Sequence, residues 1–352
     1  MTKTILNPLP APTWNRLGVN QANISLPEIP AKGWGESSTR VDAPIDSIQL
    51  ECPGFSALES GGGADLDRFL RENANFHLHL AVKEGTEGMI LIQHTLEEDH
   101  PHAIAHLSLR ARPHSKITVI EVIRGGVSGS IHGSLAEIQA GEKAEVTLIQ
   151  LQMLSAAARS WSAVSATAGE NAQVCIYRAA LGGSSVLSGG KCLLPGTGSA
   201  FEARTIYYGD GDTVLDFGDT AVHTGRKTRS EIHAAGVLDG NCQKTLRGTI
   251  DFRRGAVQGV GHESEDVLLL SPDVRNRTAP LILCGEEQVE GQHAASIGRL
   301  DEAMLYYMAS RGIGEGEARR LLALAKFAPV LDALPPDLRC EAESYLERRL
   351  PS

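Results

Sequence analysis

Four similar turn segments, Pro113-His114-Ser115-Lys116, Gly141-Glu142-Lys143-Ala144, Gly169-Glu170-Asn171-Ala172 and Gly196-Thr197-Gly198-Ser199, begin 28, 28 and 27 residues apart, and a run of β character follows each. A fixed period of this length means stacked units, because an element of that size cannot bury its apolar face alone and must lay it on its neighbours. Ala140-Gly141-Glu142-Lys143-Ala144-Glu145-Val146 and Ala168-Gly169-Glu170-Asn171-Ala172-Gln173-Val174 are the clearest pair. The 37 glycines suit a chain that turns at every corner. The pattern predicts a right-handed parallel β-helix. A β-sandwich stays open, since short strands with Gly-rich turns alone do not separate the two.

The repeat starts near Phe76, where Phe76, Leu78, Leu80 and Val82 alternate with His77, His79 and Ala81 in the period of a half-buried strand. Further runs lie at 89–92, 117–123, 146–151, 174–177 and 214–217. Residues 1–75, rich in Pro, Gly and Asn, read as a small, loosely structured cap with one short helix near 64–72 opened by Gly61-Gly62-Gly63. The core is therefore placed at 76–299 and a helical domain at 300–352. In that tail Asp301 caps a helix through Ser310, Arg311-Gly312-Ile313-Gly314 breaks it, and Glu315 opens a second with an apolar stripe of Ala318, Leu321, Leu322, Ala325 and Phe327. Pro335-Pro336 starts a third, striped by Ala342, Tyr345, Leu346 and Leu350. The stripes are expected to pack mostly on each other, leaving any exposed remainder as a docking face.

Several function classes fall away. The formal charge of -10 comes from dispersed acids, so a phosphate-tracking groove is not expected. No GxxxxGK[ST] loop and no GxSxG elbow occurs. Met1-Thr2-Lys3-Thr4-Ile5-Leu6-Asn7-Pro8 lacks the apolar core of a signal peptide, and no stretch is apolar enough to span a bilayer, so a cytoplasmic protein is expected. Cys52, Cys175, Cys192, Cys242, Cys284 and Cys340 are widely spaced, without the tight pairs of zinc or ferredoxin sites, and at least four of the six are expected to be buried thiols.

Eight of the twelve histidines fall between His77 and His132. Solvent-facing histidines are the plainer reading, with Asp99-His100-Pro101-His102 as a loop. A metal site would need His77 and His79, which share a strand face, to converge with a distant third ligand. A carbohydrate-active β-helix enzyme is the other catalytic alternative, but the strands show no clustered carboxylates.

The most specific stretch runs over 216–322. It reads Asp216-Phe217-Gly218-Asp219, Val222-His223-Thr224-Gly225, Thr228-Arg229-Ser230, Leu246-Arg247-Gly248-Thr249-Ile250, Gly255-Ala256 and Asp266-Val267-Leu268-Leu269-Leu270. Gln292-His293-Ala294-Ala295-Ser296-Ile297-Gly298, Leu300-Asp301, Leu305-Tyr306-Tyr307, Ser310-Arg311-Gly312-Ile313 and Glu317-Ala318-Arg319-Arg320-Leu321-Leu322 follow. This order resembles the SufB/SufD family of the SUF iron-sulfur cluster assembly system, closely here and only architecturally before it.

The resemblance implies a β-helix core with flanking helices, in agreement with the repeat. It implies a non-catalytic scaffold subunit that pairs through its β-helix with a SufB-type subunit or a second copy of itself. A SufC-type ATPase would bind the C-terminal helices, and a transient iron-sulfur cluster would be handled at the shared interface. Participation of a flavin in that complex stays open. SufB-type chains carry a cysteine where this sequence has about Glu265, and a Glu where it has Ala294; both departures point to the SufD type. The resemblance makes His293 a candidate cluster or iron ligand, against the plainer reading of a histidine that holds the strand end. It places Tyr306, Tyr307, Arg311 and Gly312 where SufC contact begins; ordinary helix packing and a helix stop are their plainer roles. Cys284, in Leu281-Ile282-Leu283-Cys284, is a weaker ligand candidate that reads more simply as a packed thiol. Some SufD chains have a cysteine two residues before the histidine, where this one has Gly291.

Overall fold

The computed structural model describes residues 3–13, 15–29, 34–44, 47–50 and 58–350; Cys52 lies outside the described residues. Strands Phe76–Val82, His102–Ala111, Ile131–Ala140, Arg159–Ala168, Ser185–Leu194, Val214–His223, Gln243–Phe252 and Arg275–Cys284 stack side by side in one sheet. Strands Glu87–Leu96, Lys116–Gly125, Glu145–Leu154, Gln173–Ala180, Ala200–Gly209, Arg229–Leu238, Gly259–Leu269 and Val289–Arg299 stack in a second. Consecutive strands alternate between the sheets and neighbours within each stack run parallel, which makes a β-solenoid of about 8 turns. Parallel pairing rules out the sandwich reading.

The sequence repeat is the solenoid's corner. At successive corners His114, Lys143, Asn171, Gly198, Lys227 and Gln258 take φ values of 59, 53, 52, 71, 57 and 62°. Glycine adopts this left-handed conformation freely and Asn tolerates it, whereas Lys and Gln bear roughly 1–2 kcal/mol of strain. The corners are held by one another: the N–H of His114 donates to the Glu142 carbonyl at 2.9 Å, that of Lys143 to Glu170 at 2.8 Å and that of Asn171 to Thr197 at 2.9 Å, each one turn further on.

Between the sheets, inward residues such as Leu80, Ile90, Val119, Leu148 and Ile176 form a continuous apolar core that runs on to Ile250 and Phe252, joined in the later turns by Tyr207, Phe217, Leu246 and Val267. Each fully buried Leu or Ile contributes about 1.5–3 kcal/mol. The outer faces are covered too. Helix α1 (Ala64–Asn73) lays Leu66 and Leu70 on Ile104, Leu135 and Trp161 of the first sheet. The N-terminal segment is more ordered than its composition suggests: Lys3–Leu6 pairs antiparallel with Ala22–Ser25, while Glu36–Asp42 and Ile48–Leu50 add antiparallel strands that close the first end of each sheet.

The tail comprises α2 (Glu302–Ser310), α3 (Glu315–Ala325), α4 (Ala328–Leu331) and α5 (Pro336–Glu347). Its apolar side chains do not simply pack on each other. Phe327, Val330, Leu331, Leu338 and Leu346 cover Ile120, Val122, Leu151, Ile206 and Val237 on the outer face of the second sheet. The one-turn α4 was not legible, and in α3 Ala318 is buried as expected, joined by Ala323 rather than by Ala325. The Lys326 ammonium lies 2.5 Å from the Asp266 carboxylate and Arg349 2.5 Å from Asp210, pinning the tail to the solenoid. Asp301 caps α2 by accepting from the Ala303 N–H, and Gly312, at φ 86°, ends it as expected. No described helix is long and apolar enough to cross a membrane.

Candidate functional site

The two ends of the solenoid differ. The first is closed by antiparallel strands; at the other, Arg275–Cys284 and Val289–Arg299 each pair on one side only and no described strand stacks beyond them. Every residue of the last strand after Val289 is exposed, on both faces, including Ile297 at 49%. A long strand with a free edge presents a row of N–H and C=O groups to any chain that can pair with it.

His293 sits in the middle of this terminal strand, in register with Glu263 of the strand beneath. Parallel register puts both side chains on the same face. Glu263 is interior: its carboxyl abuts Gly248 of the opposite sheet, where a Cβ would fall 2.2 Å from it, so a larger residue there would have to displace the carboxyl. The Glu263 Oε2 has no hydrogen-bond partner among the described residues. Burial, with the nearby carboxylates of Glu265 and Asp219 and against the pull of Lys244, pushes its pKa up to about 7.

Around it lies a buried polar network. The Lys244 ammonium, fully buried, is ion-paired to Glu265 and donates to the Thr278 hydroxyl at 3.2 Å and the Arg277 carbonyl at 3.3 Å. The Tyr207 hydroxyl donates to Glu265 at 3.0 Å, and Arg178 clasps both oxygens of Asp219 at 2.9 Å. The open end is thus an exposed imidazole standing over a buried, protonatable acid and a set of buried ion pairs.

The candidates fall as follows. The His293 side chain is exposed and makes no hydrogen bond, ion pair or ring contact with a described residue. Cys284 is exposed at the end of the penultimate strand, not packed as its apolar flank suggests, because no further turn covers it. Among the described residues, neither His293 nor Cys284 belongs to a group of three or more metal-ligating side chains. Cys175, Cys192 and Cys242 are buried, while Cys340 is exposed. Tyr306 and Tyr307, at 79% and 54% exposed, project from α2, which buries none of its residues, and the Arg311 guanidinium lies over the Tyr307 ring at 5.2 Å. Gly312 is exposed at the turn into α3.

Sequence reasoning missed Glu263, Lys244 and Tyr207. Glu263 stands in Gly261-His262-Glu263-Ser264-Glu265-Asp266, which reads as solvated; only the period-two return of Gly261, Glu263 and Glu265 marks an inward face. The histidines were also misjudged: His79, His94, His102, His106 and His132 are buried rather than solvent-facing.

A sequence model of the SufBD core domain of SUF system FeS cluster assembly matches residues 94–326. The chain belongs to the SufBD family. The matched SufBD core runs from the strand Glu87–Leu96 through the end of α3, so it holds most of the solenoid, the open end and both exposed tyrosines. The iron-sulfur cluster assembly protein SufD of Bacillus subtilis is 27% identical over 249 residues, 70% of this chain and 57% of that protein. An iron-sulfur cluster assembly SufBD family protein of Pyrococcus horikoshii is 27% identical over 284 residues, 79% of this chain and 60% of its own. One from Synechocystis is 29% identical over 159 residues, 45% and 33% respectively. The chain therefore spans about a third to three fifths of the length of these SufBD relatives.

Proposed function

We propose that the chain is a SufD-type, non-catalytic scaffold subunit for iron-sulfur cluster assembly in the cytosol. The observation that carries this reading is the uncovered last turn of the solenoid, an edge strand exposed on both faces with His293 at its centre. A SufB-type subunit or a second copy of this chain covers that turn by pairing along the free edge, and a transient cluster is assembled at the junction. His293 supplies an imidazole ligand there, as mixed His and Cys coordination of iron allows. The five described cysteines are free thiols, in keeping with a reducing compartment.

The tail couples this site to an ATPase. Tyr306 and Tyr307 are large amphipathic side chains left bare on a helix that touches α3, of the type that anchors interfaces. A SufC-type ATPase docks on α2 and the Arg311-Gly312 turn and pulls through α3 to α5, which grip the second sheet. The tagged chain is expected to retain a SufC-type ATPase on affinity resin, and the Tyr306→Ala, Tyr307→Ala double variant to lose it while still folding. Equal retention by the variant would remove the docking assignment. Ile297→Asp, on the open strand, is expected to abolish pairing with a SufB-type partner or self-dimerisation in light scattering, leaving ATPase capture intact.

A further inference from the structure

A second constellation lies on the outer face of the first sheet, far along the solenoid from the open turn. His77 and His79 stand on Phe76–Val82. One turn later His106 is in register with His77 and Ser108 with His79, and Glu137 follows in register with Ser108. The three imidazoles each offer a nitrogen within 4.8 Å of the others. Their ring centroids are 6.0, 6.1 and 4.8 Å apart. Nitrogens bound at about 2.0–2.1 Å to a tetrahedral ion sit about 3.4 Å from one another, so small ring rotations suffice to close the site.

Each ring is already oriented by one nitrogen. The His106 Nε2–H donates to the Glu137 Oε2 at 2.8 Å, and the other oxygen of Glu137 is held by Arg71 of α1 at 3.2 Å. The His77 Nε2–H donates to the Ala74 carbonyl at 3.1 Å, and the His79 Nδ1 bonds the Ser108 hydroxyl at 2.7 Å. No described residue hydrogen-bonds the remaining nitrogens, Nδ1 of His77 and His106 and Nε2 of His79. This is how protein metal sites fix the tautomer of their histidines, with a carboxylate, carbonyl or hydroxyl behind each ligand. His79 and His106 are only 9% and 5% exposed, whereas His77 is open to solvent and leaves a way in.

We propose that His77, His79 and His106 bind one divalent transition-metal ion of the class that prefers imidazole, with Glu137 as the carboxylate behind His106 and water in the remaining position. Both carboxylate oxygens are already engaged, so Glu137 orients a ligand and is not one itself. His77 and His79 precede the matched family segment, 94–326, so two of the three ligands lie outside it. The site is independent of the scaffold reading and needs no partner.

The test uses the untagged chain, stripped with chelator and titrated with Zn2+ by calorimetry, with Co2+ substitution read by visible absorption. One equivalent of Zn2+ and the intense bands of tetrahedral Co2+ are expected. His77→Ala and His106→Ala each weaken binding by more than about 100-fold and Glu137→Gln by roughly 10- to 100-fold, while His293→Ala leaves it unchanged. His77 is exposed, so its variant reports on the site even if His106→Ala fails to fold. Absence of stoichiometric binding, or affinity unaltered in His77→Ala, would overturn the proposal.

Discussion

Glu263 sets a measurable pH dependence. It is 4% exposed, lacks a partner for Oε2, and faces Glu265 and Asp219, so its carboxyl holds a proton to about pH 7 where an ordinary one titrates at 4.5. Between those values the folded chain keeps a proton that the unfolded chain has released, so stability falls as pH rises through this window and levels off above it. At about 1.36 kcal/mol per pH unit the loss amounts to about 3 kcal/mol, undiminished by solvent because the group is buried. Glu263→Gln keeps the shape and removes the proton. Urea denaturation of both proteins at pH 4.5 to 8 should show the variant gaining on the native chain by about 3 kcal/mol across the range. A stability difference independent of pH would refute the argument, and one moving the other way would mean that Glu263 is ionised and paired.

Other changes follow from the same structure. Lys244→Met strands Glu265 as an uncompensated buried charge and should cost roughly 3–5 kcal/mol in urea denaturation, whereas Lys244→Met with Glu265→Gln should recover most of that loss. Phe327→Ala, which empties the contact between the tail and the second sheet, should cost about 3–5 kcal/mol and make α3 to α5 exchange amide protons faster than the solenoid. Gly198→Ala at a left-handed corner should cost about 1–2 kcal/mol, while Lys143→Gly at the equivalent corner should not destabilise by more than about 0.5 kcal/mol; differential scanning calorimetry separates the two.

How much of this could be read in advance depends on which side of each strand is wet. The runs at 117–123 and 146–151 were visible because Ile, Val and Leu dominate strands buried against both the core and the tail. Ile131–Ala140 and Arg159–Ala168, IHGSLAEIQA and RSWSAVSATA, were not, since α1 and the N-terminal segment cover their outer face and burial on both sides erases the alternation that marks a strand. The corners were legible because backbone geometry recurs there whatever the side chains do. His77 and His79 were legible as a pair on one strand face, and only the third member, His106, was not identified, yet the 28-residue repeat contained it: a residue one turn on is a neighbour, and 77 and 106 differ by about that turn. Glu263 and Lys244 gave no warning, as charged residues ordinarily read as surface; Lys244 is interior because Glu265, Thr278 and the Arg277 carbonyl satisfy it across the turns, and Glu263 because its raised pKa favours the neutral form.

The central claim is tested most directly by co-expressing the chain with SufB-type and SufC-type subunits, isolating the complex without oxygen, and measuring iron and acid-labile sulfide per complex for the native chain and His293→Ala. The account predicts a stable three-component complex in both cases, with iron and sulfide in near-equal amounts in the first and lost in the second. Failure of the native chain to enter such a complex, or iron and sulfide unchanged by His293→Ala, would contradict it.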